Sequence, residues 1–202
     1  MINTGVDDVT RRWTLRLVAG LAAGAVLLSG CSGQQEANDT LPGADATPSA
    51  SEAELPPLVP PDLPMPAEAR TQDAAGAEAF VRYYIDLINR TSTVMDAAPL
   101  REFSDGCAEC NRIATDAEND AAAGYSYEGG EITVTTVGRP LVQGALAEVP
   151  FRVDLARLAV VDESGQAVPE LSFQAFPGLL SSAALSWSAD RECWIMTQLA
   201  LG

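Results

Sequence analysis

The chain has 202 residues, with 28 acidic residues, 12 arginines, neither lysine nor histidine, and a formal net charge of −16. Such a chain lacks the basic surface that nucleic-acid binding requires, so we expect no nucleic-acid partner. Without histidine it can form no Ser-His-Asp triad, no Cys-His dyad and no histidine-containing zinc site, and we expect neither a metal nor a cofactor.

Residues 1–30 have the organisation of an export signal. Three arginines within positions 11–16 form a positively charged region, and an uncharged apolar segment follows over residues 17–28. This segment is shorter than the roughly 20 residues that span a bilayer, so we predict a cleaved signal peptide rather than a membrane helix. The pair Arg11-Arg12 resembles a twin-arginine signal, and both that route and the general secretory route remain open.

The motif Leu28-Ser29-Gly30-Cys31 ends this signal. It resembles the lipobox of bacterial lipoproteins, in which a peptidase cuts before the cysteine and the cysteine is acylated. The resemblance implies cleavage between Gly30 and Cys31 and acyl chains such as palmitate on Cys31. Two or more acyl chains anchor a protein stably. We therefore predict a protein anchored by lipid at the extracytoplasmic face of the cell membrane.

Residues 31–74 have the composition of a linker. They contain eight of the 13 prolines, and the few apolar residues follow no period, so ordering this segment would cost more entropy than it could recover. We predict a lipid-anchored, Pro-rich disordered linker over 31–74, with stiff polyproline II over 55–66. One globular domain over 75–202 follows, a length that suits a single core.

The globular region begins with a helical pattern. Apolar residues recur at three- and four-residue spacing and predict a helix from about Ala74 to Asn89, capped by Thr71 or Asp73. A short helical turn over 98–103 and a helix from about Cys107 to Ala122 follow. The apolar face of the first helix comprises Ala77, Phe80, Val81, Tyr84, Ile85 and Ile88.

After Gly124 the hydrophobic period changes to two, which predicts strands. Pro150 cannot donate to a ladder, so its strand is at a sheet edge there or bulged. A four-residue loop closing the last hairpin would place Trp187 opposite Trp194. The predicted strands cover residues 131–137, 148–155, 170–175, 183–188 and 192–201, with turns at 163–165 and 189–192.

This order of elements predicts an α+β fold, with N-terminal helices packed on a curved antiparallel sheet of about four to five strands. It resembles the cone-shaped, cystatin-like fold of nuclear transport factor two, SnoaL and ketosteroid isomerase. More closely, the chain resembles an uncharacterised family of actinobacterial lipoproteins. That likeness rests on the lipobox, the Pro-rich spacer, the segment GAEAFVRYY at 76–84 and the motif CAEC at 107–110. The resemblance implies no particular activity.

The remaining cysteines are Cys107, Cys110 and Cys193. A disulfide between Cys107 and Cys110 is the most economical pairing, and it would pin the start of a helix. The alternative is a thioredoxin-like redox pair, although such motifs follow a strand in a βαβ unit and acidic residues here disfavour a thiolate. We expect Cys193 to be a buried, inert thiol, and its pairing with either other cysteine stays open.

For function, we predict a non-catalytic, monomeric domain that binds a small ligand or an unknown envelope protein. The alternative is an enzyme of isomerase or hydratase type, because cone folds often enclose a pocket between the first helix and the sheet. Tyr83, Tyr84 and Asp86 could line that pocket, and a carboxylate with a phenolic donor suits acid/base chemistry. Equally, the tyrosines could be core residues and Asp86 could pair with Arg82.

Overall fold

The computed structural model describes residues 60–202. The predicted signal peptide, Cys31 and the linker up to residue 59 lie outside this range. The described part is an α+β domain, as the sequence predicts, and none of its helices is long and apolar enough to cross a membrane. Its helices are α1 (Ala74–Val94), α2 (Ala98–Glu102) and α3 (Ala108–Ala122), and its strands are β1 (Ser126–Gly129), β2 (Ile132–Val137), β3 (Leu141–Gln143), β4 (Leu146–Leu155), β5 (Leu158–Val161), β6 (Phe176–Ser188) and β7 (Cys193–Leu201).

Helix α1 forms the centre of the domain. Its N-cap is Asp73, whose carboxylate accepts a hydrogen bond from the Gly76 N–H at 2.7 Å. Gly76 is required there, because an added Cβ would lie 2.0 Å from the carbonyl oxygen of Thr71. The helix ends at Val94, five residues beyond the predicted end, and its C-cap Met95 lies in the left-handed region. All six predicted apolar residues are buried, which confirms the predicted face.

The main sheet has five strands and is antiparallel throughout. The strand order is β2-β4-β6-β7, and β3 pairs with β4 beyond the end of β2. The ladders of β2 with β4, β4 with β6 and β6 with β7 each contain one register shift, and such irregularities bend a sheet. Strands β1 and β5 form a separate two-stranded sheet.

Two predicted details of the strands are confirmed. Pro150 lies opposite the gap between β2 and β3, where its carbonyl accepts a hydrogen bond from the Gly138 N–H at 2.8 Å. Its missing N–H therefore interrupts no strand pairing. Trp187 and Trp194 face each other in the last hairpin, with ring centroids 5.4 Å apart and an edge-to-face angle of 77°.

Other predicted strands differ from the structure. The prediction of a strand over 170–175 is wrong. Residues Pro169–Leu171 form a 3₁₀ turn, and in the predicted range only Phe173 makes an isolated β-bridge, to Leu158. Strand β6 begins at Phe176, seven residues before its predicted start. The sequence does not predict strands β1, β3 and β5, because each has only three or four residues and β5 is also too uniformly apolar to alternate.

The ordered region extends N-terminal of the predicted domain start at residue 75. Met65 and Ala69 are buried in the core, although they belong to the Pro-rich stretch assigned to the linker. The carbonyl of Thr71 accepts a hydrogen bond from the indole N–H of Trp194 at 2.9 Å. Single apolar residues at irregular spacing thus pack against the helix and the sheet. Hydrophobic periodicity could not predict this packing, because these residues follow no period.

Candidate functional site

Two of the three predicted pocket residues lie in the core. Tyr84 is fully buried and Tyr83 is 2% exposed. Their hydroxyls donate to backbone carbonyls, that of Tyr83 to Leu63 at 3.3 Å and that of Tyr84 to Leu100 at 3.1 Å. Burial raises the pKa of both phenols, that of Tyr84 to about 12. These tyrosines hold the N-terminal segment and α2 against α1, the alternative role that the sequence left open.

Asp86, the third, lines a groove between α1 and β2, at the open side of the sheet. The groove has a volume of about 250 Å³. A depression of about 410 Å³ adjoins it at Asn89 and Glu131. Tyr83 and Tyr84 line neither, so the structure does not bring the three predicted residues together. The groove is lined by Arg82, Ile85, Asp86 and Asn89 on one side and by residues 131–134 on the other.

Asn89 joins the two walls of this groove. Its side-chain amide donates to the carbonyl of Ile132 at 2.9 Å and accepts from the Ile132 N–H at 2.8 Å. On the opposite side of β2, the Ala156 N–H donates to the carbonyl of Glu131. Because backbone groups alternate along a strand, those of Ile132 point away from β4. Asn89 therefore takes the place of a neighbouring strand at this residue.

The groove is acidic. Partial desolvation by the groove walls raises the pKa of the Asp86 carboxyl although the residue is exposed, nearby Glu131 raises this pKa further, and Arg82 opposes the shift. Arg82 does not hydrogen-bond Asp86, because its guanidinium binds Glu78 at 2.9 Å. Within residues 60–202, no hydrogen bond reaches the carboxylate of Asp86. This part of the chain contains 21 acidic residues against nine arginines, so its net charge is −12.

Cys107 and Cys110 form a disulfide, as predicted, with an S–S distance of 1.98 Å. Both residues are 1% exposed, and the Cys107 sulfur accepts a hydrogen bond from the Cys110 N–H at the start of α3. The preceding element is α2, not a strand of a βαβ unit. Cys193 is a free thiol, fully buried, and burial raises its pKa. The bridge is thus a buried staple of the helix start.

Removing this bridge is expected to lower the free energy of unfolding by about 2 kcal/mol, the loop-closure value for so short a loop. The double substitution Cys107→Ala/Cys110→Ala, measured by urea unfolding, tests this value. Cys193→Ala is the matched control, because this cysteine closes no loop. Reductant should lower the free energy of unfolding of this variant by the same amount as that of the parent chain. An unchanged unfolding midpoint in the double variant would contradict a stabilising role for the bridge.

The model of a family of unknown function, DUF6318, matches residues 51–199. The chain belongs to this family. The match begins in the Pro-rich segment and extends into β7, so the family sequence includes the described domain and residues N-terminal to it. An uncharacterised family is what the sequence resemblance indicated. No curated protein matches the chain.

Three solved structures are similar to this DUF6318 chain. The intermembrane space region of the chloroplast protein ARC6 is 19% identical, with 65% of this chain and 97% of that chain covered and a TM-score of 0.47. A Catenulispora acidiphila protein in complex with S-DNPA is 10% identical, with 63% and 92% covered and a TM-score of 0.36. A second structure from Catenulispora acidiphila is 9% identical, with 63% and 94% covered and a TM-score of 0.34.

Replacing Asn89 by alanine is expected to lower the free energy of unfolding of this DUF6318 domain by about 1–2 kcal/mol, because two hydrogen bonds to Ile132 are lost and water replaces them only in part. Amide hydrogen exchange should also quicken at Ile132. Ser92→Ala is the matched control, since Ser92 bonds only within α1, to Ile88. Equal effects of the two substitutions would show that Asn89 does not join α1 to β2.

Proposed function

We propose that this protein is a lipid-anchored domain of the cell envelope that binds a partner without catalysing a reaction. The motif Leu28-Ser29-Gly30-Cys31 after an apolar leader carries this proposal. The Cys107–Cys110 disulfide supports it, because disulfides persist in oxidising compartments outside the cytoplasm. Acylation of Cys31 would hold the domain at the extracytoplasmic face of the membrane through the segment between Cys31 and Pro60.

We further propose that the fold is the cone-shaped one of nuclear transport factor two. The packing of α1 across an antiparallel sheet with three register shifts supports this assignment. The space between helix and sheet is filled by large side chains, among them Phe80, Tyr84 and Trp194, each 0% exposed. Binding therefore belongs to the outer surface of the domain rather than to an internal cavity.

Binding also accounts for Asp86 better than acid/base chemistry does. An isomerase-type site pairs a carboxylate with a phenolic donor across a dry pocket. Here the Tyr83 and Tyr84 hydroxyls donate to backbone carbonyls, and Asp86 is exposed in an open groove on another face of α1. An exposed carboxylate beside an open strand is suited to contact a partner.

Replacing Cys31 by serine is expected to abolish membrane anchoring, because no thiol remains to be acylated. In the native host, the parent protein should sediment with membranes and be released by detergent, and mass spectrometry should find acylated Cys31 as the first residue. The variant should lose the lipid mass and accumulate with its leader uncleaved. Ser32→Ala, one residue on, is the control and should leave anchoring intact. An unmodified Cys31 in the mature parent protein would overturn the proposal.

A further inference from the structure

Within residues 60–202, strand β2 has one edge with which no other strand pairs. It is the last strand of the main sheet, and β4 occupies only one of its sides. Asn89 pairs with Ile132 on the open side, and the next residue whose backbone points the same way is Val134. The strand reads ITVTTV, without charge or proline, so it lacks the side chains that usually protect an edge from pairing. Its backbone is thus available to an added strand.

We propose that this edge binds an extended, positively charged segment of a partner protein, which adds to the sheet beside β2. The inference rests on the proposed binding function and names its surface and partner class. Main-chain hydrogen bonds to Val134 supply the attachment, as in other cases of strand addition. The register shift between Val134 and Thr136 keeps the added ladder short. Toward Ile132 the segment reaches the groove between α1 and β2.

The charges at the groove select this occupant. Asp86 and Glu131 lie on its two walls. Arg82, beside Asp86, is already bound to Glu78, and Arg90, at the adjoining depression, is already bound to Asp62 and Asp96. A lysine or arginine of the partner would stabilise both carboxylates at once. It would also relieve the unfavourable environment that raises the pKa of Asp86. The open backbone edge and the unsatisfied negative charge therefore both favour an extended, positively charged ligand.

The chain itself could provide two ligands for this edge, a second copy of the domain or its own N-terminal segment, and electrostatic repulsion disfavours both. A second copy would bring its own Asp86 and Glu131 to the same interface. The segment between Cys31 and Pro60 contains five acidic residues and no arginine. Like charges facing each other across an interface oppose binding. A cationic segment of another protein is the remaining occupant with complementary charge.

Three capped octapeptides test the proposal against the full-length chain in detergent micelles. In the first peptide, valine alternates with arginine; in the second, glutamate replaces arginine; the third is the arginine peptide with N-methyl groups on the residues that would pair. Fluorescence anisotropy should show the arginine peptide binding at least about tenfold tighter than either control, a difference of about 1.4 kcal/mol. Amide hydrogen exchange should slow at Val134, the residue that pairs with the added strand, only with this peptide.

Substitutions distinguish binding at the edge of β2 from nonspecific attraction to the acidic surface of the domain. Asp86→Asn/Glu131→Gln should weaken binding of the arginine peptide about tenfold, whereas Glu170→Gln, on the 3₁₀ turn outside the groove, should leave it unchanged. Equal binding of the N-methylated peptide, no effect of the groove variant, or no binding at all would overturn the proposal. So would sedimentation showing that β2 pairs with a second copy. None of these results tests the acylation of Cys31. A missing lipid on Cys31 would overturn the proposed membrane anchoring and leave the proposal about β2 standing.

Discussion

Replacing Trp194 by alanine is expected to lower the free energy of unfolding by about 3–5 kcal/mol, the usual cost of deleting a buried aromatic side chain. Trp194 is 0% exposed and packs edge-to-face on Trp187. Its indole N–H donates to the carbonyl of Thr71. The substitution thus leaves a cavity, removes an aromatic pair and frees the segment before α1 from β7.

Urea unfolding followed by far-UV circular dichroism measures this effect without relying on tryptophan fluorescence. Trp194→Phe separates the contributions, since it keeps an aromatic ring but loses the hydrogen bond to Thr71, and should cost less than alanine. Trp187→Ala is the matched control on the partner ring, which is only partly buried, and should also cost less. A loss below about 1 kcal/mol in Trp194→Ala would contradict the central place given to this side chain.

Raising the pH from 10 to 12 is expected to destabilise the domain by about 2 kcal/mol through Tyr84 alone. Burial raises the pKa of Tyr84 from 10 to about 12, so in this window the unfolded chain ionises the phenol and the folded chain does not. Stability from this group is therefore complete below pH 10 and falls as the pH rises to 12. Burial also raises the pKa of Tyr83 and Tyr127, and both add to the loss.

Tyr84→Phe gives the matched test. At pH 8 the variant should be less stable than the parent chain by about 1 kcal/mol, because the hydrogen bond to the Leu100 carbonyl is lost. Between pH 10 and 12 its stability should fall less steeply, so the gap between the two proteins should close or reverse. Parallel curves of unfolding free energy against pH would show that Tyr84 ionises equally well in the folded domain.

Only part of the candidate site could be predicted. The resemblance to cone folds predicts Asp86 as a pocket residue, because a carboxylate beside a phenolic donor suits acid/base chemistry. The apolar spacing predicts only that the first helix ends at about Asn89. Its bonds to Ile132 join residues 43 positions apart, and no local pattern reports them. The sequence leaves the place of Tyr83 and Tyr84 open between pocket and core, because it does not show whether each hydroxyl donates to water or to a buried carbonyl.

The features that depend on neighbouring residues could be predicted from the amino-acid sequence. These are the buried face of α1, the last hairpin with its tryptophan pair, the short disulfide loop and the motif at Cys31 that predicts the anchor. The contacts between distant segments emerge only in the folded domain. They are the packing of residues 60–73, the filled interior and the groove beside β2. Local order follows from spacing and turn chemistry over a few residues, whereas these contacts depend on which surfaces the whole chain can bury at once.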